Sequence, residues 1–294
     1  MYERVLLATD GSVGAAVATA QAVTLAAAFG STLHVVSVVP TPGRRSASAT
    51  GDSGPPLDDA AAALATSAEA AVDDAETTAR ERGLRVETAV ERGRPHRVVL
   101  EHADRVGADL VVVGRHGRTN RPEFLLGSTA ERVVREATTP VLTATGADGF
   151  ADVTAVLLPT DGSRGSLAAL PHAAALARQF DAPVHVLAVT DVSVFDPDVV
   201  VGLLGGLARL SERYADAAAA TLDAEGISTE TAIGEGVPAR EILDYATEVG
   251  ADLITMGTRG RRGTERLLLG STASKVLRGA TRPVLTVRSP SGRE

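Results

Sequence analysis

Two short stretches of this chain have residue types and spacing suited to holding an anion. Gly114-Arg115-His116-Gly117 is followed, after nine residues, by Gly127-Ser128-Thr129; Gly257-Thr258-Arg259-Gly260 is followed, after nine residues, by Gly270-Ser271-Thr272. Glycine reaches positive φ and, having no Cβ, lets an anion approach backbone N–H groups closely. A helix opened by Ser-Thr adds unpaired N–H groups and the partial positive charge of its first turn. A loop of this kind has the chemistry to cradle a di- or triphosphate. The same residues also meet a plainer need: Gly114 and Gly117 suit a turn after a strand, and Ser128 followed by Glu131 reads as a capping box. In the second stretch Ser271 is followed by Ser274, which makes no such box, and yet the glycines recur.

His116 and Arg259 occupy equivalent loop positions, with Arg115, Arg118, Arg261 and Arg262 around them. These cations either neutralise phosphate or form a solvated basic loop. Lys275 is the only lysine, so a Gly-Lys-Ser/Thr phosphate clamp is missing and any phosphate must rest on amides, hydroxyls and arginine. Cysteine is absent, which excludes disulfides, thiolate metal sites and cysteine nucleophiles. His34 and His185 fall inside expected strands and read as packing residues. No histidine stands at metal-ligand spacing from another, and no metal-binding residue is expected.

The elements that must position these loops follow from an internal repeat. VLLATDGS at 5–12 recurs as VLLPTDGS at 156–163, and ADLVVVGRHGR at 108–118 as ADLITMGTRGR at 251–261. The offset falls from 151 to 143, so the first copy carries eight extra residues, placed in the Pro-, Gly- and Ser-rich stretch 41–56, which reads as a mobile loop. Short Val/Leu runs alternate with Ala-rich helical stretches, which predicts α/β architecture: in each copy a parallel sheet flanked by helices. Strands are expected near 3–8, 32–39, 85–90, 109–114 and 140–144, with helices near 13–29, 58–82, 95–106 and 128–137. The predicted domains are 1–147 and 152–294. One stretch, VFDPDVVVGLLGGLARL at 194–210, reads as lacking a counterpart in the first copy. Its Val200, Leu203, Leu204, Leu207 and Leu210 have helical spacing, giving an apolar face that either packs on its own domain or serves as a lid or partner surface.

A net charge of −8 and a pI near 5.3 argue against nucleic acid or an anionic membrane as partner. Three Tyr, five Phe and no Trp leave few platforms for base stacking. No long apolar run or leader-like start is present, so a cytoplasmic protein is expected.

Gly-x-x-Gly-x9-Gly-Ser/Thr, together with Thr-Asp-Gly-Ser after the first strand, resembles the ATP-binding type of universal stress protein (UspA-like), here in tandem. The resemblance implies two tandem Rossmann-like domains of the adenine nucleotide alpha hydrolase-like type. Each would have a five-stranded parallel sheet, with nucleotide at the carboxyl ends of the first and fourth strands and pairing through the last strand. It implies ATP, ADP or AMP as ligand, with Mg²⁺ arriving on the nucleotide, and a regulatory role in stress response. The two halves would pair within the chain, with a homodimer and an unknown protein partner as further expectations. On this pattern Asp10 and Asp161 contact the adenosine moiety, although an aspartate before Gly-Ser is also an ordinary turn residue. Val38 and Val189 align with the position whose backbone meets adenine, and Val113 and Met256 precede the first loop glycine; all four are equally readable as core. No Ser-Gly-Gly-x-Asp-Ser loop, Gly-x-Ser-x-Gly elbow or base for a γ-phosphate is found, so at most slow ATP hydrolysis is expected. A weak ATPase or nucleotidyl-transfer enzyme, a ligand-free dimerisation module and a flavin-binding relative remain as alternatives.

Overall fold

Apolar runs without alternation, such as Val5-Leu6-Leu7 and Val111-Val112-Val113, fit strands covered on both faces, and in the structure all six side chains are buried. The structure, a computed structural model, describes residues 1–41, 57–117, 126–146, 153–192, 197–260 and 269–289, with backbone only for 57–60 and 197–204. Residues 42–56 of the loop expected at 41–56, the stretch 193–196, and Arg118, Arg261 and Arg262 lie outside the described residues.

The chain forms two compact units, and the division falls between Val133 and Val134. The first holds β1 (Arg4–Thr9), α1 (Val13–Phe29), β2 (Thr32–Pro40), α2 (Leu57–Glu81), β3 (Arg85–Gly93), α3 (Pro95–Val106), β4 (Leu110–Gly114) and most of α4 (Ser128–Glu136). Its strands run parallel in the order β3-β2-β1-β4, with Arg4 opposite Thr32, Thr32 opposite Arg85 and Val5 opposite Leu110. The second holds β5 (Val141–Ala144), β6 (Val156–Thr160), α5 (Arg164–Phe180), β7 (Val184–Asp191), α6 (Pro197–Ala224), β8 (Thr229–Gly236), α7 (Pro238–Glu248), β9 (Leu253–Gly257), α8 (Ser271–Gly279) and β10 (Val284–Val287). Here the order is β8-β7-β6-β9-β10-β5, parallel except for β5, which pairs antiparallel with β10 through Thr143 opposite Val284 and Val141 opposite Thr286. The last strand of the first sequence copy thus belongs to the second compact unit.

Local chemistry sets the element ends. Ser12 caps α1, its Oγ accepting from the Ala15 N–H at 3.2 Å, and Gly30 ends it with φ +66°. Pro95 and Pro238 sit in the first turns of α3 and α7, where the missing N–H costs nothing. Arg288, just past β10, donates to the carbonyls of Arg135, Glu136 and Ala137 at 3.1–3.2 Å and so closes the carboxyl end of α4. In each unit the chain turns back from the first strand to the fourth, so the loops after β1 and β4, and after β6 and β9, emerge together at the carboxyl edge of the sheet. Such a switch point is where open α/β sheets bind ligands.

Candidate functional site

The Thr-Asp-Gly-Ser turn is built alike in both units. The Ser12 N–H donates to Asp10 Oδ1 at 3.0 Å, and the Ser163 N–H to Asp161 Oδ1 at the same distance, with Gly11 and Gly162 at φ +73° and +70°. The turn role foreseen for both aspartates is therefore present. The other carboxylate oxygen lies against the loop: a Cβ on Gly117 would stand 2.6 Å from Asp10 Oδ2, and one on Gly260 2.5 Å from Asp161 Oδ2.

The first loop glycine answers to a different neighbour. Gly114 packs on the backbone of Gly14 and Ala15, and Gly257 on that of Gly165 and Ser166, while Gly14 and Gly165 in turn press on the carbonyls of His116 and Arg259. The second half of the motif is tied back by Gly127 N–H to Arg115 C=O at 2.8 Å and Gly270 N–H to Thr258 C=O at 2.9 Å. These bonds hold the two ends of the loop together and bring the start of α4 or α8 beside the sheet edge.

The capping box expected at Ser128 is not formed. Glu131 N–H bonds to Gly127 C=O and Ser274 N–H to Gly270 C=O, so each helix takes its cap from the glycine and Ser128 and Ser271 are already the first helical residues. The backbone starts the helix one residue earlier because the glycine supplies the extended cap conformation, φ −59°, ψ 145° at Gly270. No side chain caps α8, which leaves its first-turn N–H groups to water or a ligand.

In the second unit a cavity of about 850 Å³ opens at this edge. All nine site residues expected in that copy, Asp161, Val189, Met256, Gly257, Arg259, Gly260, Gly270, Ser271 and Thr272, line it. Thr190, Ser211, Tyr214, Pro238 and Ile242, which the sequence did not place at the site, also line it, together with Leu207 and Leu210 of the apolar stretch 194–210. The lining therefore joins glycine backbone, hydroxyls and an arginine to aliphatic side chains and, among the described residues, one aromatic ring. The 194–210 stretch enters α6, whose place in the first copy is taken by α2, so the notion that it lacks a counterpart is corrected: what differs is the connection before the helix. Val200, Leu203 and Leu204 have no described side chains.

In the first unit Asp10, Gly114, Gly117 and Gly127 are joined by the contacts above, and Ser12 Oγ donates to the His116 carbonyl at 3.4 Å. Val38 and Val113 lie near the carboxyl ends of β2 and β4, Val38 half-buried and Val113 buried; Thr129 is half-buried and Ser128 exposed. His116 Nε2 is buried with no hydrogen-bond partner among the described residues. Arg115 is buried, 8% exposed, which is incompatible with a solvated loop cation. Burial, and after it the positive charge of Arg259, lowers the pKa of Arg288. His34 and His185 are buried strand residues facing Glu87 and Glu230 at 3.4 and 3.5 Å. Among the described residues no cluster of three His, Asp or Glu suits a metal ion, and no helix is long and apolar enough to cross a membrane.

A sequence model of the Universal stress protein family matches residues 1–144 and again 153–288. A universal stress protein of Methanocaldococcus jannaschii is 42% identical over 144 residues, 46% of this chain and 82% of its own length. One from Mycolicibacterium smegmatis is 32% identical over 212 residues, 70% of each chain. The crystal structure of a universal stress protein from Archaeoglobus fulgidus superposes with a TM-score of 0.72 at 20% identity, covering 98% of this chain and 99% of that one. A motif repeated in order and a family model that matches both halves together make this chain a tandem member of the universal stress protein family.

Proposed function

We propose that this protein binds adenine nucleotide, as ATP, ADP or AMP, and acts as a regulatory stress-response protein, with the repeats 1–147 and 152–294 as its binding domains. The observation that carries the reading is the cavity of the second unit, whose lining brings loop glycines, hydroxyls and an arginine together with apolar side chains and a tyrosine, the mixture a nucleotide needs. The phosphates would lie on Gly257–Gly260 and the uncapped first turn of α8, with Arg259 supplying charge. The base and ribose would lie among Val189, Leu210, Tyr214 and Ile242. Mg²⁺ fits as a partner of the phosphates, since the carboxylates that line the cavity among the described residues are Asp161, beside the loop, and Asp191. In the first unit the buried Nε2 of His116 gives the corresponding loop a polar group in want of a partner. The reading is regulation by occupancy, with at most slow turnover.

The test is mass spectrometry of small molecules released from freshly purified, denatured protein, followed by calorimetric titration of ATP into the stripped chain. Adenine nucleotide at one or two per chain supports the reading, and Gly127→Val with Gly270→Val should abolish it. A ligand-free module is favoured by one fact, that each loop glycine already packs against its own chain. It predicts no released nucleotide and no heat at millimolar ATP.

A further inference from the structure

Part of the cavity wall is one face of α6, formed by Leu207, Leu210, Ser211 and Tyr214 at spacings of three and four. Gly83 and Gly226, which follow α2 and α6, align the two helices at an offset of 143, so Leu64, Ser67, Ala68 and Ala71 hold the same positions in the first unit. Thr190 Oγ1 bonds to Ser211 Oγ at 3.0 Å; their counterparts are Val39 and Ala68, both buried. Where the second unit offers two hydroxyls and a phenol ring, the first therefore offers methyl groups. Among the described residues Tyr214 is also the one aromatic residue of the cavity lining, in a chain with only three Tyr and five Phe. Its ring lies against the Asp161-Gly162 turn: a Cβ on Gly162 would fall 2.8 Å from Cγ and closer still to Cδ1 and Cε1. A ring braced on backbone in this way is held in place before any ligand arrives.

We propose that Tyr214 is a specificity-determining residue of the second site, a platform on which the planar base of a nucleotide stacks. The inference rests on the nucleotide reading above and adds to it that the two sites differ: the second holds the base, whereas the first, with Ala71 at that position, holds chiefly the phosphates. Base–aromatic stacking changes affinity on the order of tenfold. The contribution belongs to the base, so a ligand made of phosphates alone does not feel it.

The experiment uses the full chain with the first loop disabled by Gly127→Val and compares ATP with inorganic tripolyphosphate by calorimetry. Tyr214→Leu, which keeps apolar cover over Gly162, should weaken ATP about tenfold and leave tripolyphosphate within about twofold; Tyr214→Phe should bind ATP nearly as the parent does. Equal losses for both ligands would mean that Tyr214 only braces the turn, and an unchanged ATP affinity would mean that the ring does not meet the base; either overturns the proposal. Should Tyr214→Leu not fold, tyrosine emission decides, since the chain has no Trp. ATP, but not tripolyphosphate, should change emission in the parent, and the change should vanish in Tyr214→Phe. ATP bound without any change refutes stacking while sparing the nucleotide reading; no ATP bound at all refutes both.

Discussion

Gly257→Ala separates what the protein asks of its glycines from what a ligand asks. A Cβ at this position, the end of β9, runs into the backbone carbonyl of Gly165, well inside contact distance, and meets the Ser166 nitrogen at 2.9 Å. No rotamer relieves a collision between backbones, so α5 must move off the sheet. Overpacking of this kind costs about 1–3 kcal/mol, and the rigidity on both sides puts the expectation near ~3 kcal/mol. At ~2–4 °C per kcal/mol for a unit of this size, melting should fall by roughly 6–12 °C. Gly260→Ala meets a side-chain end instead, Asp161 Oδ2 at 2.5 Å, with that carboxylate held by the Ser163 N–H; an intermediate loss of about 1–2 kcal/mol is expected. Gly270→Ala places its Cβ 3.0 Å from the Thr258 carbonyl, a contact eased by a few tenths of an ångström, and should cost about 1 kcal/mol or less. The assay is calorimetric melting of nucleotide-stripped protein. Equal melting of Gly257→Ala and parent, or a reversed order among the three variants, would refute the claim that packing dictates these glycines.

Three further outcomes are expected. Asp161→Ala removes the acceptor of the Ser163 N–H and should cost about 1 kcal/mol in urea unfolding, whereas Asp161→Asn, which keeps an oxygen there, should stay within about 0.5 kcal/mol. Burial lowers the His172 pKa to about 4 from its ordinary 6.5, so the folded state favours the neutral ring. Its contribution is complete above pH 6.5 and declines as pH falls toward 4, on the order of 3 kcal/mol, because the unfolded chain takes up the proton first. His172→Gln should flatten that part of the stability–pH curve. Arg288→Met strips the carboxyl end of α4 of a cation bonded to three carbonyls and should lower stability by about 2 kcal/mol, read by the same unfolding curves.

Periodicity made the elements legible: α1 and α3 occupy 13–29 and 95–106 as expected, since Ala-rich helical spacing and a proline at the start of α3 leave little choice of phase. The cap of α4 was misread by one residue because Gly127 and Ser128 are both acceptable caps, and only the backbone path through the Arg115 tie decides between them. The burial of Arg115 was likewise beyond reach, since a charged loop residue is taken inside by tertiary packing alone. Ser211 and Tyr214 were missed for another reason. Repeat matching directs attention to what two copies share, whereas these residues belong to a helix face on which the copies differ. Their spacing with Leu207 and Leu210 was visible in the sequence, but only the cavity gives that face a purpose.

The same contrast bears on how the two sites should be compared. Glycines at 114, 117, 257 and 260 are required wherever an Asp-Gly-Ser turn and the first turn of a helix are pressed against the end of the fourth strand. A copy that had lost its ligand would still be destabilised without them, so their recurrence testifies to shared architecture and not to shared occupancy. The walls carry no such obligation. Val39 and Thr190, Ala68 and Ser211, Ala71 and Tyr214 each fit the same helix-on-sheet packing, and substitution among them leaves the frame intact while changing what the cavity can hold. Ligand divergence between the units must therefore be sought in the faces of α2 and α6, and titration of each site with the other loop disabled is the measurement that can register it.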